Sequence, residues 1–349
     1  MPPSRRNPVM ADVARRAGVS ISTVSHVLNG TRFVASSTRD AVLSAVDELG
    51  YQGMKDVTNT RNSSRAIGLV ITGASNPYFG ELVAGVEQEA TRAGYALLLC
   101  DSHDDPKQEL SAVQTLISHN VEAIVIAPTP SWEDKTLPLL RKHGRPFVLV
   151  DRLSSARCDQ VGLENESVSA TLVEHLIEIG HRRIGMVAGL DGLSTSIERV
   201  RGYQRALQES GIEADADLIV PGLSTVAGGR SATLRLMAMR PRPTAIFSGN
   251  NAMTIGALRA LREAHCAIPH DVALIAFDDF EWAETVTPAL TAIAQPFHAM
   301  GAQAVQLLLR RLADPLAPRR VVRLPAEIAH RHSCGCGIRR GPAAPAPAK

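Results

Sequence analysis

The sequence predicts an α/β protein: a small three-helix head at the N-terminus, joined to a body of two lobes built on parallel sheets. Three observations carry this. From Ala66 onward, short apolar runs alternate with amphipathic stretches of about 10 to 15 residues, the pattern of strand–helix units around a parallel sheet. Before Ala66 there is no strand-like run, only helical periodicity followed by a polar segment. The 349 residues suit two or three domains at roughly 100 to 200 residues each. About seven strand–helix units with no short-period repeat are too many for one small sheet, so two stacked lobes fit better.

Taken in order, the stretch from Asp12 to Ala17 reads as a first helix with Val13, Ala14 and Ala17 on one face. Gly18 permits a tight turn, and Ser20 can cap a second helix that runs to Asn29 with Val24, Val27 and Leu28 facing the first. The outer face of this second helix carries Ser22, Ser25, His26 and Asn29 at i, i+3, i+4 and i+7. Those are hydrogen-bonding side chains, which a helix lying in a major groove needs in order to read base edges. A third helix, Thr38 to Leu49, brings Val42, Ala45, Val46 and Leu49 to close the core of a helix-turn-helix head. The polar run from Lys55 to Arg65 then reads as a linker.

In the body, strand-like runs cover Ile67 to Thr72, Tyr95 to Cys100, Ala123 to Ala127, Phe147 to Asp151, Arg183 to Ala188, Ala245 to Ser248 and Val272 to Phe277. Several intervening helical patterns end in a glycine suited to a left-handed C-cap, namely Gly94, Gly144, Gly180 and Gly211. The far end, Gly341 to Lys349, is Pro/Ala-rich, and residues 335–349 are expected to be a disordered tail.

Composition narrows the function classes. With 45% hydrophobic and 21% charged residues the chain is an ordinary globular one, and its longest apolar run falls far short of the roughly 20 residues a membrane helix needs. The N-terminus lacks the apolar core of a secretory signal, and five scattered cysteines argue against a disulfide framework, so a cytoplasmic protein without membrane partners is expected. The net charge of +2 hides a polarity. Residues 1–65 carry nine Lys/Arg against five Asp/Glu, residues 66–318 carry 21 against 29, and residues 319–349 carry seven against one. A basic head on an acidic body implies that the head meets a polyanion and the body does not.

The chain resembles the LacI/GalR family of bacterial transcriptional regulators. The landmarks are the Asp-Val-Ala…Ala-Gly-Val-Ser…Thr-Val-Ser…Leu-Asn-Gly run of the head, Glu48-Leu-Gly-Tyr51, Ile67-Gly-Leu-Val70, Ser75-Asn-Pro-Tyr-Phe79, Val150-Asp-Arg152, Gly180-His-Arg-Arg-Ile-Gly185, Phe277-Asp-Asp279 and His332-Ser-Cys-Gly335, all in order. The resemblance implies a periplasmic-binding-protein-like body, divided as follows: residues 1–58 the DNA-binding head, 59–65 a hinge, and 66–334 the effector-binding and dimerisation body, with one lobe at about 66–165 and 296–324 and the other at about 166–295 and 325–334. It implies a repressor bound to a pseudo-palindromic double-stranded operator as a homodimer, with a tetramer as the other assembly, and released by a sugar or sugar acid. Ser20, Ile21, Ser22, Thr23, Ser25, His26 and Asn29 become the candidate DNA contacts, with Ile21 and Ser22 where family members read bases. His26 departs from the arginine common at its position; imidazole makes one bond where guanidinium makes two, so a different operator base is expected there. The hinge departs too: Gly53-Met54 replaces Pro-Asn, and Thr60 stands where a leucine would wedge into the minor groove.

Ligands of open α/β sheets bind beyond the carboxyl ends of strands. The polar and aromatic residues found there are Asn76, Phe79, Asp101, Asp151, Arg152, Asn250, Asp278 and Gln295, with Arg199 on a following helix. Carboxylates, amides and guanidiniums with an aromatic face suit a polyol, since adjacent hydroxyls take bidentate partners and C–H faces stack on rings. The resemblance implies effector-contact roles for Asp151, Arg152, Arg199, Asn250, Asp278 and Gln295, and makes Phe79 and Trp282 candidate ring stackers. Leu223 occupies a position often aromatic in the family, which weakens stacking on that side and argues against a nucleobase. Each residue alone is also explained as a strand-end cap, and Asp151 with Arg152 as an internal ion pair. No dinucleotide fingerprint, phosphate loop or nucleophile elbow occurs, so no enzyme and no cofactor are expected. The tail motif His330-Arg-His-Ser-Cys-Gly-Cys336 has metal-ligand residue types, but its spacing is too tight for the usual zinc patterns, and no metal is assigned.

Overall fold

The computed structural model describes residues 9–29, 32–49, 64–73 and 77–337. The expectations for Asn76, for the hinge positions Gly53, Met54 and Thr60, and for residues 338–349 of the tail lie outside them, whereas residues 335–337, expected to be disordered, lie in turns, with the Gly335 N–H donating to the His332 carbonyl at 3.1 Å. The chain divides into two compact units, Met1–Ser64 and Arg65–Lys349.

The head consists of α1 (Met10–Ala17), α2 (Ile21–Asn29) and α3 (Ser36–Leu49). Asp12 closes the first turn of α1 by accepting the Val9 N–H at 2.9 Å. Gly18 ends that helix at φ 68° and returns its N–H to the Ala14 carbonyl, a left-handed conformation that costs a side-chain-bearing residue more. Ser20 caps α2, its hydroxyl accepting the Thr23 N–H at 3.1 Å. Val13, Ala14, Val24, Val27, Val42 and Ala45 are buried together, with Ala17, Leu28, Val46 and Leu49 packed around them.

The body contains β1 (Ala66–Ile71), α4 (Pro77–Arg92), β2 (Ala96–Asp101), α5 (Pro106–Ser118), β3 (Ala123–Ile126), α6 (Trp132–Lys142), β4 (Phe147–Asp151) and β5 (Asp159–Leu163). After α7 (Asn165–Glu178) come β6 (Ile184–Ala188), α8 (Ser194–Glu209), β7 (Ile219–Pro221), α9 (Val226–Ala238), β8 (Ala245–Ser248), α10 (Asn251–Glu263), β9 (Ala273–Phe277) and β10 (Thr291–Ala294). It closes with α11 (Phe297–Ala313), β11 (Val321–Leu324) and β12 (Glu327–Ala329). Two six-stranded sheets result, in the orders β11-β5-β4-β3-β1-β2 and β12-β10-β9-β8-β6-β7. Every pairing is parallel except that of β12 with β10, which is antiparallel.

Each sheet is covered by helices on both faces, which is why β1, β3, β6 and β9 are apolar along their length. In β1, Ile67, Leu69 and Ile71 face α4 and α11, while Ala66 and Val70 join the core under α5 and α6. The second sheet is divided in the same way between α7 with α8 and α9 with α10. The chain crosses between sheets three times: after β5, after β10 and between β11 and β12. Since all strands but β12 run the same way within their sheet, their carboxyl ends and these crossovers border one cleft.

Candidate functional site

On the head, Ile21 and Ser22 are exposed at the start of α2, and Thr23, Ser25 and His26 are half-buried along it. Ser20 Oγ lies 2.8 Å from both Ser22 Oγ and Thr23 Oγ1, so three hydroxyls form a connected cluster over the first turn. A helix start, whose first N–H groups have no intrahelical acceptor, is a place suited to phosphate. Arg15 and Arg16 are exposed on α1, and Arg39 on α3. Asn29 ends α2.

The body's cleft gathers side chains from both lobes: Thr72, Phe79, Asp104, Asp151 and Arg152 from the first, and Thr195, Ser196, Arg199, Ser224, Asn250, Asn251 and Asp278 from the second, with Gln295 at a crossover. It encloses about 90 Å³ and shares Arg152 and Leu193 with a second cavity of about 360 Å³ bordered by Trp132, Ser154 and Ile197. Arg152 makes a bidentate pair with Asp104, its Nη2 donating at 3.2 Å, and its Nη1 also donates to the Pro128 carbonyl at 3.1 Å. Asp151 sits at the end of β4 at φ 66°, a strained value for a residue with a side chain. Burial pushes its carboxyl upward, an effect that Arg152 and Arg199 oppose.

Arg199 lies flat on Phe277, its guanidinium carbon 3.6 Å from the ring centroid. It donates to Asn165 Oδ1 at 3.1 Å and to the Gly249 carbonyl at 2.7 Å. Asp278, also left-handed at φ 76°, accepts from the Asn251 N–H at 3.0 Å and from Gln295 Nε2 at 2.7 Å. Asn250 caps α10 by accepting the Met253 N–H at 2.8 Å.

Three polar atoms of this lining are buried without a hydrogen-bond partner: Thr72 Oγ1, Arg152 Nε and Gln295 Oε1. Native interiors rarely leave such atoms unsatisfied, because each costs roughly 1–3 kcal/mol. A hydroxyl, a donor and an acceptor around one cavity are the complement of a ligand with both donors and acceptors.

Phe79, Asp151, Arg152, Arg199, Asn250, Asp278 and Gln295 thus come together, most of them just after strand ends, with Phe79 and Arg199 on the helices that follow. Asp101 and Trp282 do not line the cavity. Asp101 accepts the His103 N–H at 2.8 Å, and the backbone then turns through two left-handed residues, His103 and Asp104, which brings the Asp104 carboxylate to Arg152 instead. Trp282 stacks on Phe280 with centroids 3.7 Å apart and packs against the second-lobe core. Leu223 is exposed, and its neighbour Ser224 reaches the cavity instead. Sequence reasoning missed Thr72, Asp104, Thr195, Ser196, Ser224 and Asn251. Thr72 and Asn251 carried the same strand-end signal as their neighbours, whereas Asp104 depends on a turn that periodicity does not reveal.

Residues 9–53 match the family described as bacterial regulatory proteins, lacI family, and residues 173–334 match a periplasmic binding protein-like domain. The chain is 35% identical over 322 residues to the HTH-type transcriptional repressor PurR of Vibrio atlanticus (strain LGP32), covering 92% of this chain and 96% of that one. The chain belongs to the LacI family of bacterial transcriptional regulators. It is a DNA-binding transcriptional repressor with a ligand-binding body, and the relatives named here are transcriptional repressors and regulators. Among solved structures, this LacI-family chain is similar to one described as a transcriptional regulator CelR-cellobiose complex, with TM-score 0.72 and 29% identity over 93% of this chain and 99% of that one. Another is a LacI family transcriptional regulator from Enterococcus faecium with bound ribose, with TM-score 0.69 and 27% identity over 77% of this chain and 98% of that one. Among the described residues, no helix is long and apolar enough to cross a membrane.

Proposed function

We propose that this repressor binds a pseudo-palindromic operator as a homodimer and is released by a small sugar or sugar acid held in the cleft. The observation that carries the ligand class is the set of buried atoms without a hydrogen-bond partner, Thr72 Oγ1 and Gln295 Oε1 together with Arg152 Nε, which is ion-paired to Asp151 Oδ2 at 3.8 Å, beside the carboxylates of Asp104, Asp151 and Asp278. Hydroxyls of a sugar both donate and accept, and so answer all of them. Three carboxylates against two guanidiniums leave no cationic excess, which favours a neutral sugar over a sugar acid. Phe79 offers a ring for C–H stacking, and the second cavity provides the room that about 90 Å³ lacks, since ligand sites usually span roughly 300–1,000 Å³. The cellobiose- and ribose-bound relatives support the same class.

In this reading Ser20, Ile21, Ser22, Thr23, Ser25, His26 and Asn29 contact DNA, residues 59–65 act as the hinge, and two heads are needed because one recognition helix spans only a few base pairs. Selection from random duplex DNA tests the reading: the expected product is a pair of half-sites, bound with an affinity that falls steeply with salt. The selected duplex is then challenged with neutral sugars, sugar acids and nucleobases. Release by a neutral sugar supports the proposal, and release by a nucleobase alone overturns it.

A further inference from the structure

The C-terminal edge of the second sheet brings together four side chains that the cleft does not use. His175 lies in the last turn of α7, and His330, Cys334 and Cys336 follow β12. Their ligand-type atoms all lie within 4.8 Å of one another. His330 Nε2 is 3.2 Å from His175 Nε2, 3.4 Å from Cys334 Sγ and 3.2 Å from Cys336 Sγ. A neutral imidazole Nε2 offers one proton or one lone pair, so it cannot satisfy three partners at once. The convergence is therefore poorly explained as a hydrogen-bond network.

A cation at the centre explains it. A tetrahedral ion bound at about 2.0–2.3 Å holds its ligand atoms about 3.3–3.8 Å apart; the three separations from His330 Nε2, 3.2–3.4 Å, are close to that, and the other pairs lie within 4.8 Å. The donors are two imidazoles and two thiols, the set that suits a borderline-soft ion. The backbone is held in place around them. Ser333 donates to the Leu274 carbonyl at 2.5 Å and accepts the Thr291 N–H at 2.8 Å, while Arg331 makes a bidentate pair with Asp279 at 2.7 and 2.8 Å. Gly335 takes φ 81° between the two cysteines, a turn that brings both thiols to one side. Cys334 is fully buried in the second-lobe core, while His330 and Cys336 are exposed, which leaves the site open to an ion from solution.

We propose that His175, His330, Cys334 and Cys336 form a four-ligand Zn²⁺ site that staples the chain after β12 to α7. With four protein ligands it is a closed, structural site rather than a catalytic one. The proposal is independent of the ligand assigned to the cleft.

The full-length chain, reduced and stripped with a chelator, is titrated with Zn²⁺ against a chromophoric competitor and separately with Co²⁺. The expected results are one tight equivalent per chain, a rise in Tm, and a Co²⁺ spectrum with the strong visible bands of four-coordinate geometry and a sulfur-to-cobalt charge-transfer band. Cys336→Ser, at an exposed position, and His175→Ala should each lose the tight equivalent and the Co²⁺ bands, while Cys266→Ser keeps both. Circular dichroism establishes that the variants fold; if His175→Ala does not, Cys336→Ser still decides. Absence of tight binding by the reduced protein, a weak six-coordinate Co²⁺ spectrum, or an unchanged spectrum in Cys336→Ser would overturn the site.

Discussion

Replacing Thr72 with valine should move stability and ligand affinity in opposite directions. Both residues branch at Cβ and have nearly the same shape, so the change replaces one hydroxyl with a methyl group and does little else. In the free protein that oxygen is buried without a partner, and an unsatisfied buried hydroxyl costs about 1–3 kcal/mol. Thr72→Val should therefore leave the unliganded body as stable as the wild type or more stable, by up to a few kcal/mol. If the hydroxyl serves the ligand, the variant forfeits one neutral hydrogen bond of about 0.5–1.5 kcal/mol, a two- to twelvefold loss of effector affinity. Urea unfolding reads the first quantity, and operator release titrated with effector reads the second. Destabilisation of the free protein, or an unchanged release curve, would refute the assignment of Thr72 to the ligand.

Arg199→Ala should abolish the effector response and also lower stability by about 3 kcal/mol or more, because it strands the acceptors Asn165 Oδ1 and Gly249 O, each held by a charged donor worth about 1.5–3 kcal/mol; a variant that loses neither would remove Arg199 from the site. His26→Arg, and exchanges at Ile21 and Ser22, should change the selected operator more than the effector response, and identical selected sequences would contradict the groove assignment. Glu109 is buried and accepts from the Thr129 N–H at 2.6 Å and Thr136 Oγ1 at 2.5 Å, and burial raises its carboxyl above the ordinary value of 4.5. The folded state thus holds this proton to higher pH than the unfolded chain does, so wild-type stability falls as pH rises from 4.5 through the raised value. In Glu109→Gln that fall should disappear from urea-unfolding curves, and an unchanged pH slope would assign it to other groups.

The head was almost wholly legible because its determinants are local. Gly18, the Ser20 cap and three sets of apolar residues at helical spacing specify the three helices, and the same residues form the core. In the body, β1, β2, β3, β4, β6, β8 and β9 announced themselves as apolar runs, whereas β5, β7, β10, β11 and β12 did not; β5 is buried throughout but opens on the polar Asp159 and Gln160. β7 and β12 span three residues each, and β11 alternates exposed with half-buried positions at a sheet edge, so none leaves an apolar run to recognise. The cleft followed the same logic. Residues fixed at strand ends were found, but Asp104 replaced Asp101 because two left-handed residues swing the loop inward. The tail alone showed three members of the histidine and cysteine cluster, at a spacing too tight for the usual zinc patterns; the fourth, His175, lies 155 residues from His330 in the chain.

The position of Gln295 shows how occupancy of the cleft can be felt by the whole body. It sits where the chain leaves β10 in the second sheet to enter α11, which packs on the first. Its amide donates to Asp278 at the end of β9, and its carbonyl oxygen is buried without a partner in the cavity. A ligand hydroxyl donating to that oxygen while also bonding Thr72 or Arg152 would tie the crossover to the first lobe, and it could do so only at one lobe separation. Binding then favours that separation by the free energy of the bonds that other separations cannot make. Two or three hydrogen bonds of about 1 kcal/mol each shift an equilibrium roughly 30- to 160-fold, short of the about 10⁴-fold needed for a complete reversal of a 1:99 balance. If the cleft holds the effector as proposed, a repressor that switches fully through it must draw on the charged groups of its lining as well, Asp104, Asp151, Arg152, Arg199 and Asp278, and Thr72 would only adjust affinity.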